Sequence, residues 1–259
     1  MTAHHENNGH MELPRELRPF VGARGVIDRS GHSLAKVYET GNGFFIKCDA
    51  PGELAREHRM AQLFYRLGLG PEPVRYLTAD RDYLVTRRAP GRDLTKALDD
   101  PVCVCRLLAD ALKALHAQPT DGGGIPLSSR YERYMASADG PFSGGCYDPS
   151  VYMDPYRLSS REEAWEVMQR GRHLLRCDTL IHGDACLPNV IEENGAFRSF
   201  IDVGMGGLGD RHIDLYWAIW SLHYNFGTDA YADAFLGFYG RESVREETFR
   251  VVAAFEAFG

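Results

Sequence analysis

Leu180–Asp214 reads LIHGDACLPNVIEENGAFRSFIDVGMGGLGDRHID and sets His182, Asp184, Asn189, Asp202 and Asp214 around short apolar runs. Val190-Ile191 and Phe200-Ile201 with Val203, β-branched and aromatic, flank Asn194-Gly195, a pair that favours a tight hairpin turn, and Leu180-Ile181 reads as a further strand. The spacing predicts that Asp184 and Asn189 lie on the loop entering the hairpin and Asp202 at its exit, so that all three line one patch. Hard oxygen donors in such a patch suit Mg²⁺, which takes one or two carboxylates together with substrate phosphates. Turn-capping alone explains any one of these residues but not the spacing of all five.

The run His182-Gly183-Asp184 through Asn189, followed by Phe200-Ile201-Asp202-x-Gly204 and Asp210-x-x-x-Asp214, resembles the catalytic loop of phosphoryl-transfer enzymes with the kinase-like fold. The fuller string HGDACLPN resembles the aminoglycoside phosphotransferases, above all the group that modifies the 3′-hydroxyl, and the resemblance covers most of the chain. It implies an α+β, bilobal protein-kinase-like fold, with a small N-terminal antiparallel sheet lobe and a larger, mostly helical C-terminal lobe. It also implies ATP and Mg²⁺ as cofactors and catalysis by positioning and electrostatics. On this reading Asp184 orients the acceptor hydroxyl and takes its proton, while Asn189 and Asp202 hold the metal. His182 is expected to brace the loop and Asp214 to anchor it from the following helix.

Upstream, LAKVYETGNGFFIKCD reads as a second hairpin, and Lys47 emerges from its apolar run Phe44-Phe45-Ile46. The following GELAREHRMAQLFYRLG has helical spacing, with Leu54, His58 or Ala61, Phe64/Tyr65 and Leu67 as its apolar stripe. The resemblance makes Lys47 the cation for the nucleotide phosphates and Glu57 the carboxylate that pairs with it. At Ser30–Ser33, SGHS stands where the family carries a loop over those phosphates; contact with a phosphate and a plain hairpin turn explain it equally well. Tyr83-Leu84-Val85 reads as the last strand of the small lobe, and Ala89-Pro90-Gly91 as a linker, because Pro and Gly stop a sheet. The expected organisation is therefore a nucleotide-binding lobe over 1–88, a hinge over 89–92, where the backbone of Arg88 and Ala89 meets the adenine edge, and a catalytic and substrate-binding lobe over 93–259.

A literal G-x-G-x-x-G at Gly204, Gly206 and Gly209 invites a dinucleotide-binding reading, which needs a βαβ unit and a later acidic strand end. Here RHIDLYWAIWSLHYNF follows instead, a helical stretch with Asp210 at its N-cap, and the glycines read as a flexible loop after Asp202.

Composition is that of an ordinary globular protein: 259 residues, 44% hydrophobic and 25% charged. No apolar run approaches the ~20 residues that span a bilayer, and MTAHHENNGH has no secretory pattern. The cysteines at 48, 103, 105, 146, 177 and 186 have no zinc or disulfide spacing, so a cytoplasmic location is expected. Residues 1–92 hold 14 Lys and Arg against 11 Asp and Glu, residues 93–259 hold 15 against 25, and the net charge is −7. An acidic second part attracts a polycation and repels nucleic acid. The expected partners are thus an aminoglycoside and a nucleotide, with neither nucleic acid nor membrane, and a monomer or weak dimer.

PVCVCRLLADALKALHAQ is an amphipathic helix, and Pro126–Arg161 forms an insert with a helical SSRYERYMAS and an irregular remainder. Within it, Asp148 and Asp154 lie between tyrosines and either receive ligand ammonium groups or sit on a solvated loop. At the end, RVVAAFEAFG continues a helix, and Glu256 and Phe258 match best the acidic and aromatic residues with which the family binds the antibiotic. Two departures concern the acceptor: Phe255 replaces an acid, and Met205 stands where the family commonly carries Arg. They leave open another small-molecule hydroxyl as acceptor, in choline, homoserine, a macrolide or a fructosamine, and a silent nucleotide-binding module is the alternative outside enzymes.

Overall fold

Alternation within FFIKCD sends Ile46 and Cys48 inward, against Tyr83 and Val85 of a neighbouring strand and Leu17, each at 4% exposure or less. Burial of such side chains contributes about 1.5–3 kcal/mol apiece. This is the core of the first of two units in a computed structural model that describes residues 13–31, 35–121, 124–142, 147–154 and 156–258. The units are Met1–Ala55 with Pro73–Arg88, and Arg56–Glu72 with Ala89–Gly259.

The first unit has a short helix α1 (Arg18–Val21) and an antiparallel sheet of β1 (Val26–Asp28), β2 (Lys36–Thr40), β3 (Phe44–Asp49), β4 (Pro73–Thr78) and β5 (Asp82–Arg87), in the order β1-β2-β3-β5-β4. The β2–β3 hairpin turns through Gly41-Asn42-Gly43, as the sequence predicts. Lys47 lies in the middle of the sheet, opposite Val37 on one side and Leu84 on the other. Asp82 is buried, and its carboxylate accepts from the amides of Gly52 and Leu54 and the hydroxyls of Tyr76 and Thr78. Burial pushes its carboxyl up, but these donors together hold it below its ordinary value.

In the second unit α2 (Ala55–Arg66) buries Ala61 and Phe64 of the expected stripe together with Met60, whereas Tyr65 is half exposed. A short strand β6 (Arg92–Asp93) leads to α3 (Pro101–His116), capped by Asp100 accepting from the Cys103 amide. Next come α4 (Ser129–Asp139), α5 (Arg161–Gly171), β7 (Thr179–Ile181), β8 (Val190–Glu193), β9 (Ala196–Phe200), β10 (Gly207–Gly209), α6 (Arg211–Phe226), α7 (Ala232–Tyr239) and α8 (Glu246–Ala257). One core cluster of apolar side chains runs through these elements, with α3, α6 and α8 at its centre. The β8–β9 hairpin turns on Asn194 and Gly195, both at positive φ, and β6 extends it to three strands.

One expectation is corrected. The glycines after Asp202 are not a flexible loop: Gly207–Gly209 is the strand β10, antiparallel to β7 with Gly207 opposite Ile181. Small residues are needed there because a Cβ on Gly207 would stand 2.5 Å from the Pro126 carbonyl.

Asp210 caps α6 through the His212 amide, and also accepts from His212 Nδ1, the Arg176 amide and Arg245. Burial raises its carboxyl, but the His212 hydrogen bond and the two amides outweigh that and hold it below 3.8. A depressed folded value contributes stability above pH 3.8 that is lost as pH falls through the folded value. Asp210→Asn is therefore expected to lower Tm by about 5 °C at neutral pH. Thermal melts taken down the acid range should show the gap to the wild type closing below 3.8.

Among the described residues no helix is long and apolar enough to cross a membrane.

Candidate active site

The candidate catalytic loop begins at the end of β7, where the chain leaves a buried strand and must satisfy its next amides elsewhere. His182 and Gly183 donate theirs to the two carboxylate oxygens of Asp214, at 2.7 and 2.8 Å. Asp214 lies in the first turn of α6, is fully buried, and also faces His116 Nε2 at 3.1 Å. His116, at the last turn of α3, meets the Tyr239 hydroxyl through Nδ1 at 2.8 Å. Burial pushes the Tyr239 phenol up to about 12. With these hydrogen bonds Asp214 anchors the loop from the helix, a role in which a buried carboxylate is fully partnered.

His182 is fully buried and edge-on to Phe64. Its Nδ1 accepts from the Asp184 amide at 3.2 Å, and Nε2 donates to the Ile201 carbonyl at 2.9 Å. The ring thus ties the start of the loop to the residue preceding Asp202. Gly183 has φ +81°, and a Cβ there would stand 2.6 Å from the Met205 carbonyl oxygen, so the turn admits glycine alone.

Asp184 is half-buried. Its side-chain Oδ2 and its backbone carbonyl both accept from Asn189 Nδ2 at 3.0 Å, which fixes the amide with its oxygen turned away from Asp184. Asn189 sits at the end of a 3-10 turn, and its carbonyl accepts from the Ile201 amide at 3.0 Å. That bond sets Asp202 beside Asn189 along the chain. Asp202 is exposed and adopts a left-handed backbone at φ 56°; such non-glycine conformations persist where the surroundings enforce them and cluster at functional positions. Asp184 and Asn189 are thus joined by a hydrogen bond, and Asp202 follows the residue whose amide meets Asn189. Among the described residues no three His, Cys, Asp or Glu side chains converge as a metal cluster. An amide oxygen and one carboxylate could supply two donors to a divalent ion that takes its other ligands from phosphates and water.

Cys186 donates to Asp184 Oδ1 at 3.3 Å. Burial, then the Asp184 charge, pushes its thiol well above the usual range, and a thiolate is the reactive form. Iodoacetamide at about pH 7.5 is expected to label the partly exposed Cys103 and leave Cys186 unmodified until the protein unfolds, as read by peptide mass spectrometry.

The other expected site residues are placed as follows. Ser30 accepts from the Val37 amide through its hydroxyl at 3.0 Å, and Ser33 lies outside the described residues. Arg88 pairs with Glu39 at 2.9 Å and donates its amide to the Gly43 carbonyl; Ala89 is half-buried. Lys47 belongs to the first unit. Glu57, on α2, packs its side chain within 3.3 Å of the Cβ position of Gly204, two residues after Asp202. Asp148 caps a 3-10 turn and accepts from the Ser150 amide, and Asp154 pairs with Arg157 at 3.0 Å; both are exposed. Phe258 is buried against Tyr147 and Trp165. Glu256 is 5% exposed, and its carboxylate accepts from Arg130, Trp217 and Tyr134.

Arg130, Trp217 and the His116–Tyr239 pair are residues that sequence reading passes over as functional. Each stands in an amphipathic helix with no motif around it, and only the chain's folding gives it a polar partner.

Residues 29–255 match the phosphotransferase enzyme family. A probable aminoglycoside 3′-phosphotransferase of Lactococcus lactis subsp. lactis (strain IL1403) is 33% identical over 253 residues, covering 96% of this chain and 95% of that protein. Among solved structures, an aminoglycoside 3′-phosphotransferase of type VIII superposes with a TM-score of 0.70 at 23% identity, over 95% of this chain and 97% of its own. An aminoglycoside phosphotransferase from Streptomyces rimosus, solved with ADP and streptomycin, gives 0.69 at 20% identity, over 94% and 96%. At these identities the two structures show the fold, which is the α+β kinase-like one.

Proposed function

The chain belongs to the phosphotransferase enzyme family, and from that premise we propose that it transfers the γ-phosphate of ATP to a hydroxyl of an aminoglycoside, the 3′-hydroxyl, and so confers resistance to the antibiotic. The observation that carries this reading is the Asp184 carboxylate, aimed by Asn189 on a loop that Asp214 pins at both of its first amides. The 33% identity to a probable aminoglycoside 3′-phosphotransferase supports the acceptor class, and the ADP complex of a structural neighbour supports the nucleotide.

The acceptor hydroxyl lies against Asp184, which orients it toward the γ-phosphorus and takes its proton as the new P–O bond forms and the bond to the β-phosphate oxygen breaks. Asn189, through its amide oxygen, and Asp202 would hold Mg²⁺, which when bound neutralises charge on the phosphates. Lys47 serves the nucleotide phosphates, with Glu57 as its carboxylate partner, while Ser30, Ser33, Arg88 and Ala89 serve the nucleotide through backbone groups and hydroxyls. Asp148 and Asp154, exposed and anionic, receive ammonium groups of the antibiotic. Phe258, at the end of α8, shapes the acceptor side, and Glu256 stands behind it. The enzyme works in the cytoplasm, where ATP is available.

Coupled-assay turnover with Mg·ATP tests the reading, with kanamycin, neomycin and the 3′-deoxy compound tobramycin set against choline and homoserine. Turnover with kanamycin and none with tobramycin is expected. Turnover with choline or homoserine alone would overturn the acceptor and trace it to Met205 and Phe255; nucleotide binding with no turnover on any acceptor would overturn the enzyme reading.

A further inference from the structure

A buried ion pair stands directly behind the catalytic loop. Arg130 of α4 is 6% exposed, and its Nη1 donates to both carboxylate oxygens of Glu256 at 2.8 Å. The same carboxylate accepts from Trp217 Nε1 at 2.6 Å and from the Tyr134 hydroxyl. The guanidinium lies over the Trp217 ring, 4.5 Å from its centroid, and turns Nη2 to Met205 Sδ at 3.2 Å. Two members of this hub touch the loop. The Met205 backbone presses on Gly183, where a Cβ would come within 2.6 Å of its carbonyl oxygen. The Trp217 carbonyl is 3.9 Å from the Cys186 thiol, which in turn donates to Asp184.

Such a pair is not explained by stability, since removing two charges from water costs about as much as their attraction returns, and apolar side chains of equal volume often serve as well. Arg130 Nε is moreover buried with no hydrogen-bond partner. Burial pulls the guanidinium down, yet its anionic neighbours, Glu256 first, hold it above its ordinary range, so Arg130 stands as a cation one contact removed from the loop, through Met205 on Gly183 and Trp217 on Cys186. A fixed charge in a site of low dielectric acts strongly on its neighbours and needs no reorganisation during reaction.

We propose that Arg130, clamped by Glu256 and Trp217, is a positioning residue for Asp184: it supplies from α4 a cation that holds the Asp184 carboxylate oriented as proton acceptor, and Glu256 acts through Arg130 rather than on the acceptor. This rests on Asp184 being the proton acceptor of the proposed reaction.

The test uses the full chain, Mg·ATP and kanamycin. Because loss of Arg130 alone strands the Glu256 charge, the first variant is Arg130→Met with Glu256→Gln, and the second is the milder Trp217→Phe, which keeps the ring and removes one clamp on Glu256. The paired variant is expected to lose about a hundredfold in kcat, with KM for ATP and for kanamycin each within about twofold of wild type. Trp217→Phe should lose roughly three- to tenfold in kcat in the same pattern. Adding Met205→Arg to the paired variant returns a guanidinium beside the loop and should recover at least about tenfold, which a merely structural role would not. If the paired variant fails to fold, an unchanged kcat in Trp217→Phe overturns the proposal. A rise in KM for kanamycin with kcat unmoved overturns it as well, and makes Glu256 an acceptor ligand. Absence of turnover in the wild type would overturn the reading of Asp184 itself, whereas wild-type turnover with unmoved variants overturns this inference alone.

Discussion

Asp184→Ala is expected to abolish turnover, by roughly 10²–10⁴-fold in kcat, while Mg·ATP binding stays within about twofold of wild type. On the proposed reaction the carboxylate is the proton acceptor, so its removal leaves the hydroxyl to lose its proton to water. The loop itself should survive the change. Asn189 Nδ2 still reaches the backbone carbonyl of residue 184, and the amides of His182 and Gly183 remain on Asp214. The fold therefore reports separately from the chemistry: Tm should move by less than about 3 °C as kcat collapses. The check is a coupled assay with kanamycin beside calorimetric titration of a non-hydrolysable ATP analogue. A variant that keeps more than about a tenth of the wild-type rate would contradict the assigned role.

Asp214→Ala is expected to act on stability instead. Asp214 has no exposure and takes the His182 amide, the Gly183 amide and His116 Nε2. Its removal strands three buried donors, a loss on the order of 3–5 kcal/mol, or roughly 10 °C in Tm for a chain of this size. Activity per folded molecule should fall too, because the two released amides begin the turn that aims Asp184. Asp214→Asn keeps the volume and one acceptor oxygen, so it should fall between alanine and the wild type. Thermal melts of the three proteins decide this: a drop below about 3 °C for alanine would mean that the loop is held by packing and not by Asp214.

The two variants separate chemistry from scaffold, and the hub behind the loop adds a third layer. Met205 and Phe255, the two departures from the family pattern, both lie at that hub: Met205 Sδ receives Arg130, and the Phe255 ring stacks on Tyr134 at 4.8 Å. On the proposed role of Arg130, the departures bear on how Asp184 is supported as well as on the acceptor.

Elements with strong local periodicity were legible in the residues. PVCVCRLLADALKALHAQ is α3, RHIDLYWAIWSLHYNF is α6 with its Asp210 cap, and Asn194-Gly195 turns the β8–β9 hairpin. Each follows from contacts within a few residues. The loop carrying Asp184 and Asn189 was legible for the same reason, since five residues separate them and a hairpin closes the patch. One reading failed where a distant surface decides. Gly207–Gly209 is a strand because β7 offers its open edge and Pro126 leaves no room for a side chain.

By itself, the chain's order of residues determined the hairpin around Asn194-Gly195, the loop carrying Asp184 and Asn189, and the helix that follows, because backbone propensity, capping and short-range spacing act along the chain, while the fold class was implied by the resemblance that HGDACLPN and its companion residues carry. Tertiary structure alone decided that Asp214 meets His116, 98 positions away, and that Arg130 meets Glu256, 126 positions away. A buried carboxylate must find donors wherever packing brings them, and that choice depends on which helices share a core, which no local pattern of residues encodes.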